Sequence, residues 1–342
     1  MQLSRRPILV AALLVAFVAL VAACGGSDEP AASGGTGGAP EGYPSGSFDF
    51  YVATPPSGGG AIAAENISKS LKDSGLIDGN IQTLFRPGGS GTVGFTVFEL
   101  EAKGKDNAIM LALPSLISNP PIQEAEVSYK DFTPIARLFS EYETLTVKAD
   151  SDINNLDDLA AALKKDPKEV RFFGGSVGSA DHIVVAKFAK AAGVPVENVI
   201  YVGEAGGDTQ IAQLLGGHTD VLVGGTDNLD LVDAGEAKAL AVSSAERLAG
   251  NAADVPTFVE QGYDVTELNW RSVVGPPDMP GYARDYFVDL LEKLAATPEW
   301  KAALDENVWA PTPLFGDEFG TFLEEENTNR LALLKELGLI EE

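Results

Sequence analysis

The strongest periodic signal in the chain lies between residues 170 and 193. A short apolar run, Val170 with Phe172 and Phe173, stops at paired glycines. After Ser176, Gly178 and Ser179 the period lengthens, so that Ala180, Val184, Phe188 and Ala191 recur on one helical face. The pattern predicts strand, glycine loop, helix. The same unit recurs at residues 48–53, an apolar strand running into PPSGGG and then a helix with Ile62, Ile67 and Leu71 inward and Lys69, Lys72 and Asp73 outward. Strands are also predicted over 81–85 before RPGGSGTVG, over 109–113 before Pro114 and Ser115, over 199–202 before GEAGGDT, and over 221–223 before GGTDN. Residues 134–147 read as one long apolar strand crossed by Glu141, Tyr142 and Glu143, and 239–242 as a short one. Helices are predicted over 154–164 and 210–215, and the last third reads as helical over 281–295, 298–307 and 317–337. Loops that end strands in the same sense imply a parallel α/β layer whose loops gather at one edge, where ligand groups are usually presented. Ser115, closing the third strand, falls at that edge.

Two of these loops carry candidate chemistry. Glycines let backbone N–H groups face a cleft without Cβ atoms in the way, and a helix N-terminus is partially positive, so residues 57–60 and 174–179 are suited to an anion. Ser176 or Ser179 can cap the second helix, and Asp208 a third. The second loop also spells G-x-S-x-G around Ser176, the form of a hydrolase nucleophile elbow. That reading needs an acid and a histidine later in the chain, and the sequence holds only His182, within the first turns of the same helix, and His218. Gly89, Gly91 and Gly94 satisfy G-x-G-x-x-G, but they follow a second strand interrupted by Pro87, with no acid ending a strand about 20 residues on, so a dinucleotide site is not expected. No cofactor, metal or catalytic residue is assigned.

Composition adds location. Arg5 and Arg6 precede a nearly unbroken apolar run over 8–23, short of the ~20 residues of a spanning helix, and VAAC ends it in the form of a bacterial lipobox. Residues 1–23 are therefore expected to be a lipoprotein signal peptide. Cys24, the only cysteine, is the expected lipidation site, with palmitate among its acyl chains, and the diacylglyceryl anchor is sufficient for stable attachment. Residues 24–42, rich in Gly, Ser, Ala and Pro, form a flexible tether. The roughly 300 residues that remain suit two domains rather than one core. A formal charge of −26 excludes nucleic acid as a partner. Exposed charges beyond a Debye length of ~8–10 Å are screened, so this surface does not forbid an anion in a closed cleft.

Several segments together resemble the substrate-binding subunits of tripartite tricarboxylate transporters, which include the Bug-type receptors. They are PPSGGG at 55–60, RPGGSGTVG at 86–94, DFTPIARL at 131–138, EYE at 141–143, GGSVGSADH at 174–182, the run from YVGEAGGD to LLGGHTDV, ALAVSSAERL at 239–248, DVPTFVEQG at 254–262 and NWRSVVGPP at 269–277. The resemblance covers residues 43 to about 325, and IARL followed by EYE leans toward the tricarboxylate branch. It implies a type II periplasmic-binding fold, with two doubly wound α/β lobes joined by two crossing strands. Lobe one would comprise 43–142 and 243–342, lobe two 143–242, and closure would bury the ligand. It also implies a carboxylate gripped by Ser57, Gly58, Gly59 and Gly60, faced by Gly175, Ser176, Gly178 and Ser179. Gly206, Gly207 and Asp208 lie nearby, and Ser115, Tyr142, His182 and Thr226 complete the expected site. The family commonly has an aspartate soon after the glycine run and an arginine four residues later, where this chain has Ile62 and Asn66, and Ala61 stands where tryptophan is frequent.

The function implied is that of a monomeric, non-enzymatic, lipid-anchored receptor outside the cytoplasmic membrane, or periplasmic in a Gram-negative host. It would deliver an organic carboxylate to one large and one small transmembrane subunit. A receptor that presents its closed lobes to a signalling partner and an esterase acting through Ser176 are the alternative readings.

Overall fold

The computed structural model describes residues 39–341 except Ser45 and residues 204–206, and of residues 207 and 208 the backbone alone. The signal segment, Cys24 and the tether up to residue 38 lie outside the described residues. Strands β1 (Phe48–Val52), β2 (Ile81–Phe85), β3 (Ala108–Ala112) and β4 (Thr133–Glu141) belong to a first sheet. The chain then builds a second sheet from β5 (Thr144–Lys148), β6 (Arg171–Gly174), β7 (Ile200–Gly203), β8 (Val221–Gly224) and β9 (Ala237–Val242), and β10 (Asn269–Gly275) and β11 (Ala310–Phe315) rejoin the first. The spatial orders are β11-β4-β10-β3-β1-β2 and β7-β6-β8-β5-β9. β1 runs parallel to β2 and β3, and β6 parallel to β7 and β8, so the loops leaving these strands emerge at one edge of each sheet. The strands nearest the crossings, β5 and β10, are antiparallel to their neighbours.

The helices are α1 (Gly59–Asp73), α2 (Thr92–Ala102), α3 (Ser115–Ile122), α4 (Leu156–Lys165), α5 (Ala180–Ala191), α6 (Gly207–Leu215), α7 (Leu229–Asp233), α8 (Gly281–Ala295), α9 (Pro298–Glu306) and α10 (Gly316–Glu336). They cover both faces of the first sheet. The alternation of side chains along β1 sends Phe50 and Val52 toward α1, α8 and α9, where Ile67, Phe287, Leu291 and Trp300 are buried. Tyr51 of the same strand joins Phe95, Phe98, Met110, Trp270 and Phe319 on the opposite face. The second core gathers Leu145, Leu159, Leu163, Phe172, Val184, Phe188 and Val223. Phe188 is fully buried, and burial of a side chain of that size contributes about 1.5–3 kcal/mol.

Four sequence expectations change. Residues 134–147 are two strands in different sheets, because Tyr142 and Glu143 carry the chain across. Both halves are buried, so the apolar pattern does not register the break. The last third is not purely helical. β10 is a buried strand, and β11 contains Pro311 and Pro313, which an edge strand pairing only with β4 can accommodate. On α1, Ile62 is exposed, and at the end of α5 Ala191 is exposed while Ala192, just beyond the helix, is buried. Finally, the segment after β9 keeps Phe258 and Val265 in the second core, so the chain reaches the first sheet again at Asn269 and not directly after Ser243.

α10 is longer than either sheet requires. Its first turns place Phe319 and Leu323 in the first core, whereas Leu334 and Leu337 at its far end pack on Ile183 and Ala186 of α5.

Candidate functional site

Between the sheets lies a cleft of about 730 Å³. One wall comes from the first sheet: the loop from β1 into α1 with Thr54, Ser57, Gly58, Gly59 and Gly60, the glycine turn after β2 with Ser90, and Ser115 and Asn119 after β3. The other wall is Gly175, Ser176, Ser179 and Asp181 at the start of α5, with Thr226, Asp227 and Asn228 after β8. The two crossings form the floor with Glu141, Glu143, Asn269 and Arg271. Parallel strands ending at one edge put the loops on the walls, and the crossings are the segments common to both lobes.

Nine of the residues expected from sequence line this cleft: Ser57, Gly58, Gly59, Gly60, Ser115, Gly175, Ser176, Ser179 and Thr226; Ile62, read from sequence as inward-facing, lines it as well. Gly178, Tyr142 and His182 do not line it. Gly178 is where the walls meet: its carbonyl accepts from Ser118 Oγ at 2.7 Å, and a Cβ there would come within 2.5 Å of Ile122 and 2.7 Å of Asn119. Tyr142 packs in a separate apolar cluster with Leu229 and Val242. His182 is buried against Tyr201, with ring centroids 4.4 Å apart, and its Nδ1 accepts from the Gly178 N–H at 3.2 Å. Burial pushes its pKa down to about 4, which keeps it neutral. Among the described residues no hydrogen bond joins it to Ser176. Gly206 and the side chain of Asp208 lie outside the described residues, and Gly207 opens α6.

The two glycine loops turn out to be unequal. On α5 the donors are largely used by the chain itself. The Gly175 N–H donates to the Asp181 carboxylate, that of Gly178 to His182, and that of Ser179 to the Ser176 carbonyl. On α1 the N–H of Gly58 bonds to the Pro55 carbonyl and that of Ala61 to the Gly58 carbonyl, whereas Gly59 and Gly60, the first two residues of the helix, have no carbonyl one turn behind them. Close beside them is Arg271, whose Nη2 would lie 3.5 Å from a Cβ on Gly59. The lobe-one wall thus presents free backbone donors, a helix N-terminus and a guanidinium.

Sequence reasoning missed the charged floor. Six acidic residues line the cleft, Glu141, Glu143, Asp181, Asp227, Asp230 and Glu306, against one basic residue, Arg271. The Arg271 guanidinium pairs with Glu141 and also donates to Asn269 Oδ1, and Asn269 Nδ2 donates to Glu143 Oε1 at 2.6 Å. Burial raises Glu141 to about 7 despite the opposing effect of Arg271, with Asp227 and Asp181 adding to the rise. Burial, then the neighbouring Asp181 charge, pushes Glu143 well above the usual carboxylate range. Asp227 is raised, chiefly by burial. EYE at 141–143 is visible in the sequence, but its burial next to Asp181 is not. Among the described residues no group of three or more His, Cys, Asp or Glu is arranged to hold a metal ion, and no helix is long and apolar enough to cross a membrane.

Comparison with known proteins places this cleft in a family setting. The family model for the tripartite tricarboxylate transporter family receptor matches residues 59–339. The chain is 26% identical to protein BugT of Bordetella pertussis over 247 residues, 68% of this chain and 72% of that one. The solved structure of the periplasmic binding protein BugD is similar with a TM-score of 0.75 at 20% identity, covering 86% of this chain and 99% of that one. An R. palustris protein solved with adipate matches with a TM-score of 0.76 at 21% identity, covering 86% and 98%. The two α/β lobes therefore have the periplasmic-binding-protein fold.

Proposed function

Because the chain belongs to the tripartite tricarboxylate transporter family of receptors, we propose that it captures a small organic carboxylate, a dicarboxylate or a tricarboxylate such as citrate, and delivers it to a transporter of one large and one small membrane subunit. It acts as a monomer and performs no chemistry on its ligand. Residues 1–23 are removed, lipidated Cys24 anchors the protein to the outer face of the cytoplasmic membrane, and residues 24–42 tether it there. In a two-membrane host the same anchor leaves it in the periplasm.

The observation that carries this reading is the lobe-one wall, where the N–H groups of Gly59 and Gly60 open α1 beside Arg271. A carboxylate placed there receives charge-assisted hydrogen bonds worth ~1.5–3 kcal/mol each. Ser57, Gly58 and Ser115 complete that wall, and Ser176, Ser179 and Thr226 close on the ligand from the second lobe. The lobes move about the crossings at Tyr142–Glu143 and near Asn269. Adipate in the R. palustris relative supports a carboxylate of this size.

The test is a thermal-shift panel on the chain from residue 25, unfolded and refolded to strip carried ligand, with citrate, tricarballylate, succinate, malate, benzoate, terephthalate and glutamate. A ligand at 100 times its Kd stabilises the folded state by ~2.7 kcal/mol, which raises the midpoint by a few degrees. No shift with any carboxylate, from a sample that has refolded, refutes the reading.

A further inference from the structure

Several helices of this chain close with the same turn, in which the residue after the C-cap is left-handed and the following N–H reaches back to the carbonyl five residues earlier. At that left-handed position α1, α5, α6, α7 and α10 use glycine, and α3 uses the exposed Glu124. α9 uses Val308, at φ +55. A β-branched side chain in this conformation is strained against its own backbone. The corner is nevertheless held firmly: the Trp309 N–H donates to the Leu304 carbonyl at 2.9 Å, Asn307 Nδ2 donates to the Ala303 carbonyl at 2.8 Å, and the Trp309 ring stacks on Phe139 of β4 with centroids 4.1 Å apart. All of these partners belong to lobe one. The Val308 side chain does not pack with them. It joins the apolar cluster of Leu229, Val242, Ala252 and Val255 on the side of the second sheet, with a γ-methyl 3.6 Å from where a Cβ on Gly250 would stand. The same corner lines the cleft. A strained backbone persists only where its surroundings over-determine it, and what offsets the strain here is burial against the other lobe.

We propose that Val308 is a positioning residue for lobe closure: the left-handed corner holds its isopropyl group out from lobe one, and closure buries that group against lobe two. Burial gained on closing and lost on opening biases the equilibrium between the two states. The strain itself is present in both, because the bonds that hold the corner lie within lobe one, so it lowers stability without moving the lobes. Affinity for any ligand held between the walls falls as the closed fraction falls. Val308 thus sets how far the cleft stands closed, whatever the cleft holds, which goes beyond the receptor reading above.

Electron–electron resonance between spin labels at Lys72→Cys on α1 and Lys164→Cys on α4, both exposed positions, reads the lobe separation. The chain from residue 24 carrying Cys24→Ser holds no other cysteine. Val308→Ala keeps the strained Cβ and removes the two methyl groups, whereas Val308→Gly removes both the methyl groups and the strain. Each is expected to lower the short-separation population by about threefold or more, and both by the same factor. Their urea midpoints should nonetheless split, with the glycine variant unfolding at higher urea than the alanine variant, because glycine has no Cβ to strain. Separations in both variants that match those of the native residue, or that follow the order of the urea midpoints, overturn the proposal and leave Val308 a packing residue. The same distances taken with the seven acids of the panel keep the two readings apart: acids that fail to shorten the separation count against the receptor reading, and the Val308 comparison stands without them.

Discussion

At the scale of single residues, Glu141 sets the behaviour of the cleft floor. Its carboxyl is buried and held at about 7, so between its ordinary pKa near 4.5 and that value the folded chain keeps a proton that the unfolded chain has released. Stability is therefore greatest at the acid end of this window and falls as pH rises through it. The loss is roughly 3 kcal/mol at most for a shift of this size, and it stops above about pH 7. Urea midpoints at pH 5 and pH 7.5 read the effect directly. The highly acidic surface adds its own decline with pH, so the diagnostic quantity is the difference between the native chain and Glu141→Gln. The variant should show a flatter profile, and identical slopes would mean that Glu141 is already ionised in the folded protein. Little of this was legible beforehand. EYE could be quoted from the sequence, but a carboxyl's pKa depends on what desolvates it, and Arg271 is 130 positions away from Glu141.

Among elements, the β6–loop–α5 unit repays the attention that its pattern attracts, for a reason the pattern did not contain. Strand, glycine loop and helix fall where the periodicity placed them, since apolar spacing and glycine conformation are local properties. The role of each loop residue is set by contacts. Ser179 occupies the N-cap position without a side-chain capping bond, and the loop donors serve Asp181, His182 and Ser176. Gly178 adopts φ +85, in the left-handed region, and packs against α3 of the other lobe. Gly178→Ala would incur about 1–2 kcal/mol for the backbone alone, and its methyl group would push against Ile122 and Asn119. The expected outcome is a midpoint lower by a few degrees and carboxylate affinity reduced more than tenfold, with the circular dichroism spectrum unchanged. Affinity equal to that of the native chain would show that this contact is absent when ligand is bound.

For the whole molecule, the junction around Glu267 ties the lobes together. This carboxylate, nearly inaccessible, receives Lys187 of α5 at 2.6 Å and Arg330 of α10 at 2.7 Å, and Arg330 also pairs with Glu326 at 2.7 Å. Beyond it, Leu334 and Leu337 continue the same helix onto Ile183 and Ala186. α10 therefore straps the first lobe to the second, and motion of the lobes must pivot against it. Removing one partner from a buried charge network leaves the others uncompensated, at a cost of about 3–5 kcal/mol. Arg330→Met should lower stability by that amount in urea unfolding, and Glu267→Gln in the same chain should recover part of it. A loss below about 1 kcal/mol would mean that water reaches Glu267 and that the strap is held by its leucines alone.

The sequence by itself determined the alternation of strands and helices, the glycine loops at the strand ends and the family to which the chain belongs. Periodicity, glycine backbone freedom and motif order act over a few residues and survive without a partner. Periodicity ran residues 134–147 together as one strand and missed the edge strand at Pro311 and Pro313, because pairing decides strand identity where propensity is silent. Only the tertiary structure brought Glu141, Glu143, Asp181, Asn269 and Arg271 into one network, and only there does burial give those charges their meaning. Desolvation is a property of the surrounding packed atoms, and those atoms come from segments more than a hundred residues apart.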